Sequence, residues 1–362
     1  MQYKVIGLMS GSSLDGLDIV YVHFEEQAGR WSFDIRESAC LPYPPELQEQ
    51  LAAAPELAAR DYLLLHTEYG HYLGNRVHQF IEEKKLEYQV QLIASHGHTS
   101  FHMPEKKMTA QLGDGAAIAA VTRIHTITDL RSVDVALGGQ GAPVVPIGEK
   151  LLFPDYDLFL NIGGIANISI REPRPLGFDV CPANRVLNLL AAPAGYDEDG
   201  KLAARGKVSE ALLEALNRFD YYHQPFPKSL ANSFGLDQVF PAIAEAGLTQ
   251  EDALRTYVEH IVVQVARSTA DLLAQAGRKN ESLKMLVTGG GAHNRFLVER
   301  LAEALRTQGV EIVVPSKELV DYKEALIIAL MGALRWRDEE NVLSSVTGAS
   351  GDSINGAIWS SR

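Results

Sequence analysis

Residues 5–24 read VIGLMSGSSLDGLDIVYVHF, an apolar run, a cluster of Gly, Ser and Asp, and a second apolar run. The two runs have the length and composition of strands, and the cluster between them is turn chemistry. Gly and Asp supply the backbone angles of a hairpin, and a hairpin alone would account for the pattern. The same residues also suit a phosphate-binding loop. Gly11 and Gly16 allow close backbone approach, and the amides together with the hydroxyls of Ser12 and Ser13 would donate to phosphate oxygens. No Gly-Lys-Ser/Thr follows, so this is not a Walker A loop. The surrounding chain decides between the two readings.

Working outward, the first part reads as strands over 3–9, 17–24 and 31–41, helices from Pro45 and over 59–84, a strand at 90–95, a helix over 114–121 and a strand at 124–130. The plan then repeats. DLFLNIGGIANISIRE (157–172) is again strand, Gly-rich turn, strand, and LGFDV supplies a third strand. Helical stretches at 183–191, 208–217 and 250–277 lead to the buried strand LKMLVT, the loop GGGAHN, a helix from Arg295, the strand EIVVP and the helix KEALIIALMGALRWR. Two copies of one α/β plan predict a duplicated, two-lobed protein with its loops converging on a central cleft. The expected lobes are 1–130, joined by 340–362, and 131–339, with a hinge near the glycine cluster at 129–143.

Length supports that division, since 362 residues exceed one typical core. The 33 basic and 46 acidic side chains give 33 − 46 = −13, which argues against nucleic-acid or anionic-membrane partners. Cys40 and Cys181 lie far apart in no metal-ligand spacing, and no apolar run approaches a membrane span. A cytoplasmic location is the expectation.

Several loops could carry chemistry. NIGGIAN (161–167), with Gly163, Gly164 and Asn167, occupies the place in the second half that GSSLDGLD (11–18) occupies in the first, and a symmetric pair of Gly-rich hairpins suits a polyphosphate. TGGGAHN (288–294) is either a tightly packed helix-capping loop or a bare surface for a nucleoside, through Gly289, Gly290 and Gly291. Asp179, in GFDVCPAN, is read at a strand end before a Pro-started helix, as a general base or else as a turn or N-cap aspartate. SHGHTSFH offers His96, His98 and His102 for ligand hydrogen bonds or plain loop structure, since nothing nearby completes a zinc set. The loop YDEDGKLAARGKV (196–208) is a solvated surface or reaches a sugar. Glu324 opens an apolar helix, where complementing the helix dipole is reason enough for a carboxylate.

Taken in order, GLMSGSSLDGLD, SHGHT, DLRSVDVALGGQGAPVVP, NIGGIANIS, FDVCPAN, TGGGAHN and VTGASGDSINGAI resemble the motifs of the anhydro-N-acetylmuramic acid kinase family, from residue 5 to about 358. The resemblance implies two duplicated ribonuclease H-like lobes of the actin-like ATPase kind, with ATP and an amino sugar between them. It implies a cytoplasmic enzyme of peptidoglycan recycling that opens a 1,6-anhydro ring with water while the sugar's O6 takes the γ-phosphoryl group. Asp179 falls at the catalytic position, as the base for that water. Gly11, Ser12, Ser13, Leu14, Asp15, Gly16, Leu17 and Asp18 fall in the ATP segment, with the glycines at 289–291 near the nucleoside and Mg²⁺ bridging the phosphates. His98, Arg131 and Glu324 fall in segments that line the sugar site, Arg131 suiting a lactyl carboxylate. The partners implied are a small-molecule amino sugar and at most a second copy of the chain in a homodimer. Neither nucleic acid nor membrane is among them.

The chain departs from the family pattern at Ser12, at Val180 and Cys181 beside Asp179, at Asn188 in place of an Asp, and at PKSLANS (227–233), which lacks an Arg and a Glu. These changes read as substrate-side. They keep open a kinase of another anhydro or amino sugar, or a nucleotide-binding sensor or chaperone-like ATPase without transfer activity.

Overall fold

The computed structural model describes residues 1–11, 14–225, 228–231, 233–278 and 281–361. Its strands are, in order, β1 (Gln2–Ser10), β2 (Gly16–Gln27), β3 (Arg30–Pro42), β4 (Leu92–Ser95), β5 (His98–Met103), β6 (Met108–Leu112), β7 (His125–Thr128), β8 (Leu158–Ile162), β9 (Ile165–Ile170), β10 (Leu176–Pro182), β11 (Leu283–Thr288), β12 (Val310–Val313) and β13 (Ala357–Trp359). The chain divides into two compact units, Met1–Phe153 with Tyr322–Arg362 and Pro154–Asp321.

The first unit holds a six-stranded sheet in the order β3-β2-β1-β4-β7-β13. β1, β2 and β3 run antiparallel as a meander, and β4 and β7 add in parallel to β1. One face, with Ile6, Leu8, Leu17, Ile19 and Ile93, packs on Leu65, Tyr69, Leu73 and Val77 of the helix Ala59–Lys84. These positions alternate along the strands and repeat every three or four residues along the helix, as a half-buried sheet under an amphipathic helix requires. The other face takes the helix Lys317–Trp336 so closely that any side chain at Gly7 would strike the carbonyl of Ala325.

The second unit repeats the order as β10-β9-β8-β11-β12, with β8, β9 and β10 antiparallel and β11 and β12 parallel to β8. Leu158, Leu160, Ile162, Ile168, Phe178 and Val180 turn to one face and form its core with Tyr257, Ile261 and Val265 of the helix Gln250–Gln275. Both units are therefore copies of the ribonuclease H-like α/β plan.

Three features differ from the sequence reading. His98–Met103 and Met108–Leu112 pair as a small hairpin where a loop was expected. The last long helix begins at Lys317, not near Lys323, so Glu324 lies two turns in and is no first-turn residue. The expected boundaries at 130/131 and 339/340 fall inside the first unit. Residues 131–153 belong to it because buried Asp134 accepts hydrogen bonds from Gly141 N–H and Thr347 Oγ1, while its own N–H donates to Asn355. That network fastens the expected hinge at 129–143 to the C-terminal VTGASGDSINGAI motif. Among the described residues, no helix is long and apolar enough to cross a membrane.

Candidate active site

In the second unit, Gly163 and Gly164 form the turn between β8 and β9. Their carbonyls are taken by the first amides of the helix Asn184–Leu190: Asn184 N–H donates to Gly163 O at 3.0 Å and Ala183 N–H to Gly164 O at 2.8 Å. In a trans peptide the N–H points opposite to the C=O, so the amides of Gly164 and Ile165 face away from that helix. Two successive outward amides make an anion-binding edge. A Cβ at either glycine would meet nothing nearer than 3.4 Å, so packing does not demand glycine there. Gly289 and Gly291 contrast with them. Gly289 has φ +80°, and a Cβ on Gly291 would collide with buried Ile162.

Asp179 lies within β10, three residues before its end, and is neither a helix N-cap nor Pro-helix entry; the helix starts at Asn184 behind Ala183. A bulge follows it, so Asp179 pairs with Asn167 and Cys181 with Ala166, leaving Val180 as the extra residue. β10 is the edge of the sheet, and the segment 228–230 runs against it. Asp179 N–H donates to Lys228 O at 3.4 Å, and Leu230 N–H donates to Asp179 Oδ2 at 2.9 Å. Oδ1 has no hydrogen-bond partner among the described residues, and the side chain stays partly accessible. Burial raises the carboxyl above its ordinary range, against the pull of the Leu230 amide.

Tyr221 Oη donates to the Asp179 carbonyl, and Lys228 Nζ donates to Tyr221 O while sitting over the rings of Phe178 and Tyr221. Burial lowers the Lys228 ammonium and raises the Tyr221 phenol. A cavity of about 460 Å³ opens elsewhere in this unit, lined by Gly290 and Gly291, by Asn184 and Asn188, and by Tyr196 to Asp199 of the charged loop.

In the first unit the turn spans Gly11 to Asp15, with Leu14 N–H reaching Gly11 O and Leu14 at φ +57°. Ser12 and Ser13 lie outside the described residues. Gly16, Leu17 and Asp18 already belong to β2. Leu17 is 1% exposed in the core, so its side chain has no access to a ligand, whereas Asp18 is partly accessible.

Arg131 Nε donates to His96 Nε2 at 2.8 Å and Nη1 to Gly141 O at 2.7 Å. His96 therefore accepts at Nε2 and carries its proton on Nδ1, which donates to Gly97 O. Burial and the adjacent guanidinium push that imidazole down to about 3, and it is neutral at pH 7. Burial also pulls Arg131 down to about 10, opposed by Glu324 and Asp134. Arg131 and Glu324 are thus brought together. His98 is buried at the start of β5 with Nδ1 unpartnered among the described residues, and burial lowers it too.

The departures from the family pattern separate on the structure. Val180 and Cys181 point into the core, at 1% and 0% exposure, and do not face a substrate. Asn188 lines the cavity with Gly290 and Gly291, away from Asp179. Among the described residues, the changed segment after Ser229 touches Asp179, and Leu230 does so through its backbone. Sequence reasoning missed Tyr221, the Leu230 amide and the role of His96. The SHGHT motif held a signal for His96, while a backbone donor leaves none.

The family model described as anhydro-N-acetylmuramic acid kinase matches residues 3–361. The chain is 34% identical to the anhydro-N-acetylmuramic acid kinase of Vibrio parahaemolyticus and 36% identical to that of Photobacterium profundum, covering 98% of both chains in each case. It is 35% identical to that of Xanthomonas oryzae pv. oryzae, over 98% of this chain and 96% of the relative. With its fold, its glycine turns and its edge-strand carboxylate in place, this chain belongs to the anhydro-N-acetylmuramic acid kinase family.

Proposed function

We propose that the protein is an ATP-dependent sugar kinase that hydrolytically opens 1,6-anhydro-N-acetylmuramic acid and delivers N-acetylmuramic acid 6-phosphate, in the cytoplasmic recycling of cell-wall peptidoglycan. The observation that carries this reading is Asp179: a carboxylate fixed by one backbone amide, with its second oxygen unengaged among the described residues and its pKa raised by burial. Burial moves a carboxylate toward the pKa at which it is both ionised at neutral pH and basic enough to take a proton.

In the reaction, a water oxygen bonds to the anomeric carbon as the bond from that carbon to O6 breaks. O6 bonds to the γ-phosphorus, and the bond to the β-phosphate oxygen breaks to release ADP. The water's proton passes to Asp179 Oδ1 and on to solvent, and its second hydrogen stays on the new anomeric hydroxyl. The outward amides of Gly164 and Ile165 and the turn from Gly11 are assigned to phosphate oxygens. The cavity beside Gly290 and Gly291 is assigned to the nucleoside, with Glu198 and Asp199 as acceptors for ribose hydroxyls. The partly accessible Asp18 carboxylate is a hard oxygen donor of the kind Mg²⁺ takes alongside phosphates; bound there, the ion would neutralise charge developing on the transferring group. Arg131, locked by His96 and Gly141, is assigned to the lactyl carboxylate. His98 and Glu324 are assigned to the sugar site beside it.

The test is ADP release across a panel of acceptors. Release should require 1,6-anhydro-N-acetylmuramic acid and be absent with N-acetylglucosamine or glucose. Equal release with another amino sugar, or release independent of any sugar, would overturn the substrate assignment.

A further inference from the structure

The strand register lines up side chains that the sequence keeps far apart. Thr288 pairs with Asn161, Asn161 with Asn167, and Asn167 with Asp179, so one row crosses β11, β8, β9 and β10. The flanking residues Leu160, Ile162, Ala166, Ile168, Phe178 and Val180 all turn into the core, which puts the row on the opposite face. Asn161, Asn167 and Asp179 are all partly accessible on that face. At the far end Thr288 is 0% exposed, and its Oγ1 has no hydrogen-bond partner among the described residues.

We propose that Asn167 holds the attacking water together with Asp179 and is not a nucleotide contact. Directly opposed residues on antiparallel strands carry their Cβ atoms about 4.5–5.5 Å apart. Whatever small molecule touches Asp179 Oδ1 is therefore within reach of the Asn167 carboxamide. No hydrogen bond of that carboxamide to another described residue competes for it. A lone carboxylate can take a water's proton but leaves the molecule free to turn about that one bond. A carboxamide oxygen accepting the second hydrogen fixes the lone pair that attacks. A neutral amide also spares Asp179 the like-charge repulsion that a second carboxylate would add.

The inference rests on the proposed reaction for its meaning and on the register for its geometry, so the experiment separates the two. The other titratable groups about Asp179 are Tyr221, Cys181 and Lys228. Burial holds the first two neutral and lowers the third. Asn167→Asp should raise the midpoint of Asp179, followed by carboxyl carbon NMR, by a pH unit or more. Asn167→Ala should lower kcat by about 10- to 100-fold, less than the loss of the base itself, and leave the Kd for ATP within about twofold. An unmoved Asp179 midpoint in Asn167→Asp, or a tenfold rise in the ATP Kd in Asn167→Ala with kcat retained, would overturn the proposal. The titration and the ATP affinity read out with or without sugar turnover. Absence of turnover in the unsubstituted enzyme would instead count against the reaction.

Discussion

Counting back from the turn, the second cross-strand row of the first sheet holds Met9, Asp18 and Cys40, and the same row of the second sheet holds Asn161, Asn167 and Asp179. Each row carries one carboxylate. In the first sheet it stands on the middle strand of the meander, and in the second it stands on the edge. The position decides the chemistry. An edge strand can receive a further segment, and 228–230 takes that place, giving Asp179 one fixed hydrogen bond and the burial that raises its pKa. At the corresponding edge of the first sheet, the row reaches Cys40, which is exposed. Asp18 stands instead between two strands, with its side chain partly accessible. Two equivalent frames thus hold two carboxylates, and the edge clamp acts on Asp179.

The sharpest way to break this contrast is to remove each carboxylate in turn. Asp179→Asn should lower kcat by about 10³-fold, in the range for loss of a general base. Asp18→Asn should weaken ATP–Mg²⁺ by about tenfold, the scale of one charge-assisted contact, and leave the pH profile in place. Because Asp179 acts ionised and burial raises its pKa, activity should fall on acidification at a pH above the ordinary carboxylate range, near 4. A steady-state pH profile checks the sign. An acid limb at or below pH 4 would contradict the burial argument.

The glycine turns sharpen the comparison further. Gly291→Ala should cost about 1–3 kcal/mol, because Ile162 is fully buried and cannot move aside freely. Gly163→Ala should leave the Tm nearly unchanged, since its Cβ has room, and raise KM for ATP by several-fold if a phosphate approaches there. Melting curves and initial rates on both variants distinguish a structural glycine from a ligand-facing one.

One effect is shared by the two units. Each buries a histidine that burial pushes down to about 3, His96 in the first and His260 in the second. Unfolded chain binds a proton near pH 6.5 while these folded imidazoles do not. Stability should therefore fall as pH drops below 6.5, by about 1.4 kcal/mol per pH unit for each histidine. Denaturant titrations at pH 7, 6 and 5 check the slope, and a stability unchanged over that range would count against both assignments.

Much of the frame was legible because β1, β2, β8 and β9 are mostly apolar and meet at Gly-containing turns, and a repeated plan has a repeated pattern. The β5–β6 hairpin escaped because HTSFHM is polar and carries no periodic core face. The start of the final helix escaped because KELVDYKE is charged along its first two turns, which misplaced Glu324. At the site, Asp179 and the glycine turns could be found from residue type. Leu17, Val180 and Cys181 could not be sorted into core without the strand register. The Leu230 clamp is a backbone donor that any residue except proline could supply, and it exists because the chain returns to the edge of β10 from 51 residues away.

The central claim is that one water opens the 1,6-anhydro bridge as ATP phosphorylates O6, and mass spectrometry of the product formed in ¹⁸O-labelled water tests it directly. The expected product is a sugar phosphate with a single ¹⁸O at the anomeric position, formed one-for-one with ADP. A sugar phosphate without the label, or ADP and labelled phosphate without any sugar phosphate, would contradict it.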